Sequence, residues 1–198
     1  MSAPTQSPAE APTPGREPTR PRRTVALIAV VVGVVLALFV VLLATSPDDP
    51  DRAVASPVVG GQAPAIDATD TRGRSVQVSD YRGRWLLVNF FATWCVPCRD
   101  EHPELVEFAA SRSADGSAAV ISIAYDDEPA AVDQFFRTNG GDWPVIAQGN
   151  AALALEYGVI RLPESYLVDP DGVVAAKLVG GITAAELDQT ITELEAKR

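Results

Sequence analysis

The chain has 198 residues, 47% of them hydrophobic and 21% charged, and a formal net charge of -10 at pH 7. The composition is globular, and the acidic balance opposes polyphosphate and so argues against nucleic acid as a partner. Two cysteines, in a single C-x-x-C, are too few for a disulfide-stapled scaffold and at best half of a four-cysteine zinc site.

Residues 1–24 open with a stretch rich in Pro, Ala, Ser and Thr and without apolar periodicity, so a disordered, cytoplasmic N-terminus is expected there. Residues 25–44 form an uncharged run of about 20 residues, enough for a transmembrane helix across a bilayer core of about 30 Å. Arg16, Arg20, Arg22 and Arg23 precede it, and Asp48, Asp49 and Asp51 follow. By the positive-inside rule this is a single-pass signal anchor in the cell membrane, with everything after it extracytoplasmic. The alternative is a cleaved signal peptide, whose apolar region is usually about 7–15 residues, and Leu42-Leu43-Ala44 is a poor cleavage site. No cysteine follows the run closely, which excludes a bacterial-type lipid anchor. Residues 45–61 read as a linker, and residues 62–198 as one domain of about 140 residues, enough to bury a core.

Within that domain, Ser75–Val78 alternates like an exposed strand. Trp85–Ala92 is almost continuously apolar, as a strand buried on both faces requires. A helix is predicted from Val96 to Arg112, then a second buried strand from Ala118 to Tyr125. Pro129 opens the next helix, with Val132, Phe135 and Phe136 inward, and Asn139-Gly140-Gly141 closes it. A short strand over Trp143–Ala147 and a short helix over Asn150–Tyr157 follow. Ser165–Val168 and Val173–Val179 flank the turn sequence Asp169-Pro170-Asp171-Gly172, which predicts an antiparallel hairpin. Thr183-Ala184-Ala185-Glu186 is a capping box opening a last helix with Leu187, Ile191 and Leu194 inward. This order predicts an α/β domain with a mixed central β-sheet covered on both faces.

The chemistry lies in Trp94-Cys95-Val96-Pro97-Cys98-Arg99, at the junction of a buried strand and a helix. Free N–H groups and the helix dipole lower the pKa of a thiol at such a terminus. Cys95, first and nearer the exposed end, is the expected nucleophile, and Cys98, one turn later, the resolving thiol. A structural disulfide would close too short a loop to stabilise much. His102 is the only histidine, so a metal site lacks ligands; no metal and no cofactor are expected.

Three stretches resemble the TlpA/ResA/CcmG (DsbE) family of membrane-anchored, thioredoxin-like thiol-disulfide oxidoreductases. They are Gly61-Gln62-Ala63-Pro64, Val78-Ser79-Asp80-Tyr81-Arg82-Gly83-Arg84, and above all Leu87 through Leu105 around the cysteines. A later stretch, Tyr157 through Asp169, resembles the region of the family's cis-proline. It departs from CcmG-like members at Arg161, where glycine is common, and Phe91 stands where many members have Trp. The resemblance implies a thioredoxin-like fold, a redox disulfide Cys95–Cys98, and a cis Leu162–Pro163 bond beside it whose backbone receives an extended substrate segment. It implies that Glu101 controls cysteine protonation; from position alone, an acid in a first helical turn is equally well explained by the dipole. Glu164 resembles the acid of a Pro-Glu pair and is expected either at an acidic rim or as a solvated strand-end charge. Trp94 is expected to contact substrate or to serve as edge packing.

The function so implied is reduction of disulfides in exported proteins, with apocytochrome c in cytochrome c biogenesis as client and a membrane thiol donor of the CcdA/DsbD type. An oxidant, an isomerase or a general reductant would share the same residues. A peroxiredoxin-type peroxidase needs a threonine three residues before its cysteine, where this chain has Ala92. A metal chaperone would need more His or Met than the one of each present.

Overall fold

The computed structural model describes residues 22–44, 56–113 and 115–198. The expectations for residues 1–21 and 45–55 lie outside the described residues. The chain divides into two compact units, Met1–Asp49 and Pro50–Arg198.

In the first unit, α1 runs over Arg22–Ala44, 23 residues. Its described side chains, residues 25–39, are exposed all round. Among the described residues no helix is long and apolar enough to cross a membrane.

The second unit opens on a small antiparallel sheet, β1 (Asp67–Thr69) and β2 (Ser75–Gln77). Then follow β3 (Trp85–Phe91), α2 (Val96–Ser113), β4 (Ala118–Ala124), α3 (Pro129–Asn139), β5 (Val145–Ile146), α4 (Asn150–Tyr157), β6 (Glu164–Val168), β7 (Val174–Val179) and α5 (Ala184–Ala196). The main sheet has the order β5-β4-β3-β6-β7. β3, β4 and β5 are parallel neighbours, and β6 and β7 run antiparallel. This is the predicted mixed sheet.

β3 lies at the centre, and every residue in it is buried. Leu86, Val88 and Phe90 pack with α4 and the β1–β2 sheet on one face; Trp85, Leu87 and Phe91 pack with α2, α3 and α5 on the other. Each such side chain contributes about 1.5–3 kcal/mol on full burial. The hairpin turn is tied by Asp169 Oδ1, which accepts from the N–H groups of Asp171 and Val173 at 2.9 Å each. The capping box forms as expected: Thr183 Oγ1 accepts from Glu186 N–H at 3.2 Å, and Glu186 Oε2 accepts from Thr183 N–H at 2.8 Å.

Three features differ from the sequence reading. β1 was not anticipated, because three residues carry no readable period. β5 is only two residues long: Pro144, directly before it, accepts from Ser122 N–H but has no N–H of its own to extend the ladder. The contacts of the folded unit also begin before Gln62: Gly60 N–H donates to the Val174 carbonyl, and Val174 N–H to the Gly61 carbonyl.

Candidate active site

β3 ends at Phe91, and Ala92-Thr93-Trp94-Cys95 carries the chain into α2. The neighbouring loop after β4 holds this turn in place. Thr93 donates from both its N–H and its hydroxyl to the Asp127 carboxylate, and Trp94 Nε1 donates to the Asp126 carbonyl at 2.9 Å. The indole otherwise stays open, with Trp94 60% exposed.

Cys95 and Cys98 form a disulfide, with Cα atoms 5.3 Å apart. Both residues are buried, at 6% and 5%, so exposure does not separate nucleophile from resolving thiol. The backbone N–H of Cys98 donates to Cys95 Sγ at 3.3 Å. A first-turn N–H at that sulfur is the contact that stabilises a thiolate on Cys95.

Glu101 lies one turn beyond Cys98 and is buried beneath the motif. Asn89 Nδ2 donates to its Oε1 at 3.3 Å, while its Oε2 has no hydrogen-bond partner among the described residues. Loss of hydration pushes the carboxyl pKa up from 4.5 to about 8. Asn89 also donates to Ser165 Oγ at 3.0 Å and accepts from Ser122 Oγ at 3.5 Å, and Ser122 Oγ accepts from Trp143 Nε1 at 2.8 Å. A chain of buried polar groups thus crosses β4, β3 and β6 and ends at Glu101.

Because β3 and β6 are antiparallel, with Phe90 opposite Glu164, β6 starts at the sheet end where β3 runs into the cysteine turn. The Leu162–Pro163 bond just ahead of β6 is cis. Leu162 packs against the same core cluster that contains both cysteines.

A family profile described as Redoxin matches residues 58–191. The chain belongs to the Redoxin family. Thiol-disulfide oxidoreductase ResA of Bacillus thuringiensis subsp. konkukian is 30% identical over 136 residues, 69% of this chain and 78% of that protein. Thiol:disulfide interchange protein CycY of Rhizobium leguminosarum bv. viciae is 39% identical over 109 residues, 54% of this chain and 56% of that protein. A crystal structure of a thioredoxin-family thiol:disulfide interchange protein from Chlorobium tepidum TLS superposes with a TM-score of 0.61 at 27% identity, covering 67% of this chain and 94% of that one. With its Cys95–Cys98 pair, this Redoxin-family member is a thiol-disulfide oxidoreductase of the ResA/CcmG type.

Around the Redoxin centre, then, the fold brings together Trp94, Cys95, Cys98, Glu101, Leu162 and Pro163. Glu164 requires a correction. It is neither at an acidic rim nor solvated: it is 0% exposed and faces the opposite side of the sheet from Glu101, with Phe90 and Tyr166. Its Oε2 lies 2.9 Å from Lys177 Nζ and accepts from Tyr166 OH at 3.2 Å, and this pairing is what permits a charge there. His102, expected from the sequence as a solvated or hydrogen-bonded helix residue, is buried and hydrogen-bonded. Its Nε2 is 3.1 Å from the Gly140 carbonyl, and its ring packs on Phe135, Phe136 and Trp143. Burial pushes its pKa down, against the backbone contacts at Gly140 and Asn139. Sequence reasoning missed Asn89, Ser122, Ser165 and Lys177. The available signal was a lone amide in a strand otherwise apolar on both faces.

Proposed function

We propose that this Redoxin-family enzyme reduces disulfides of exported polypeptides outside the cytoplasm, with apocytochrome c as client and a membrane thiol protein of the CcdA/DsbD type as electron donor. The observation that carries the reading is the Cys95 sulfur against a helix N-terminal N–H, with a buried, half-satisfied carboxyl one turn beyond Cys98. In the reduced enzyme, the Cys95 thiolate attacks a substrate sulfur, forming a mixed disulfide and expelling a substrate thiolate. Cys98 then gives up its proton and attacks Cys95 Sγ, releasing the second substrate thiolate and restoring the Cys95–Cys98 disulfide. Glu101, one turn beyond Cys98 and with its pKa raised to about 8, is mostly protonated at neutral pH; its ionised fraction takes that proton and later returns it. The open face of Trp94 and the backbone at Leu162 are the substrate contacts in this reading.

The membrane anchor belongs to the same proposal. What supports it is the sequence: residues 25–44 are uncharged, about 20 residues against a bilayer core of about 30 Å. The arginines ahead of it support a cytoplasmic N-terminus and an extracytoplasmic catalytic unit. The residues ahead of α1 and those between α1 and the folded unit then serve as a cytoplasmic tail and a tether.

The reduction potential of the Cys95–Cys98 couple tests the direction of electron flow. Equilibration with defined thiol buffers is expected to give a value toward about -270 mV, as for thioredoxin. A value toward about -120 mV would make the enzyme an oxidant and end the cytochrome reading.

A further inference from the structure

The buried pair Lys177–Glu164 has no part in the exchange chemistry, and its placement calls for an explanation. Lys177 is 3% exposed and Glu164 0%. Lys177 lies opposite Tyr166 in the β6–β7 ladder, so the pair bridges two strands that are already hydrogen-bonded to each other. Buried ion pairs are a poor source of stability, because desolvation cancels much of the attraction and an apolar pair of similar volume often serves as well. What an apolar pair would lack is the set of bonds these groups make to backbone. Lys177 Nζ donates to the Gly158 carbonyl at 3.0 Å. Glu164 Oε2 accepts from the Ile160 N–H at 3.4 Å. Both targets lie in the short segment between α4 and β6, the one that leads through Ile160, Arg161 and Leu162 to Pro163. The side chains of Ile160 and Arg161 point to solvent, with Ile160 75% exposed, so packing of those two does not hold the segment.

We propose that Lys177 and Glu164 are positioning residues: a buried clamp that fixes residues 158–162 from beneath and thereby sets how a polypeptide disulfide is engaged at Leu162. The inference rests on the reading that a polypeptide is bound there. A small disulfide reacts at Cys95 without that backbone contact, so the clamp affects the two substrates differently.

The test is single-turnover oxidation of the reduced full-length chain. One oxidant is a synthetic peptide closed by a Cys-x-x-Cys disulfide; the other is hydroxyethyl disulfide. In Lys177→Met and in the charge-free double variant Glu164→Gln/Lys177→Met, the half-saturating peptide concentration is expected to rise about tenfold. The limiting rate with peptide and the rate with hydroxyethyl disulfide should stay within about twofold of wild type. If both substrates slow together, the pair is merely structural and the proposal fails. Unchanged saturation in the variants sinks the clamp alone. A wild-type chain that reacts with hydroxyethyl disulfide but never saturates with peptide removes the polypeptide reading and the clamp with it. Hydrogen exchange on the wild type needs no variant: the Ile160 amide should exchange more slowly than its exposed neighbour Arg161, and equal rates would overturn the proposal.

Discussion

Replacing Glu101 by Gln should remove a pH dependence from the folding stability. The carboxyl is 4% exposed, takes one hydrogen bond from Asn89, and has its pKa raised from 4.5 to about 8 by burial. In the unfolded chain it loses its proton near 4.5; in the fold it keeps it until about pH 8. Between those values the folded state binds more protons, so stability is full below pH 4.5 and falls as pH rises through about 8. That window corresponds to about 5 kcal/mol. Gln has nearly the same shape and keeps an oxygen for Asn89 but no ionising group. Urea unfolding of the oxidised full-length chain from pH 5 to pH 9 reads the difference. The two proteins should be of similar stability at pH 5, and the Gln variant should be ahead by several kcal/mol at pH 9. A difference that stays constant within about 0.5 kcal/mol across that range would refute the assignment of this buried carboxyl as neutral at pH 7.

Three further outcomes are expected. Cys98→Ser should accumulate mixed disulfides through Cys95, visible as adducts on non-reducing gels, whereas Cys95→Ser should lose exchange altogether; adducts in the second variant instead would reverse the roles. Asn89→Ala removes partners from Glu101, Ser165 and Ser122 at once, so it should cost about 2–4 kcal/mol in denaturant unfolding and move the thiolate absorbance titration of the reduced cysteines; a titration identical to wild type would mean that Asn89 does not act through Glu101. Gly141→Ala should lower Tm, because the residue sits at φ +97° and a Cβ there would fall 2.9 Å from Trp143 and 3.0 Å from Phe136; an unchanged Tm would show that the aromatic cluster yields freely.

What could be read from the sequence was whatever its local pattern determines. β3 was visible as an apolar run, the β6–β7 hairpin by its Asp-Pro-Asp-Gly turn, and α5 by its capping box. The cysteine pair was legible because spacing and position at a strand–helix junction are both local. Glu164 was misread for the opposite reason. Its partner, Lys177, is brought beside it only by the pairing of Tyr166 with Lys177 across the hairpin, and no local window contains that register. The extent of β5 differs for a local reason: Pro144 cannot donate to the ladder, so Trp143 does not join the strand.

Asn89 has a further consequence for how the sheet finds its alignment. A strand buried on both faces has little alternation to tell one pairing offset from another, and β3 is apolar at every position except this one. In the native offset Asn89 stands opposite Ser165 on β6 and Ser122 on β4, the polar positions of those two strands on its own face. A shift of two residues along either neighbour would return apolar side chains to their proper faces but place Asn89 against Leu167 or Val120, with its amide unsatisfied in the dry interior. Each unpaired group there costs about 1–3 kcal/mol. One side chain therefore does for the central strand what a keyway does for a shaft, admitting a single alignment.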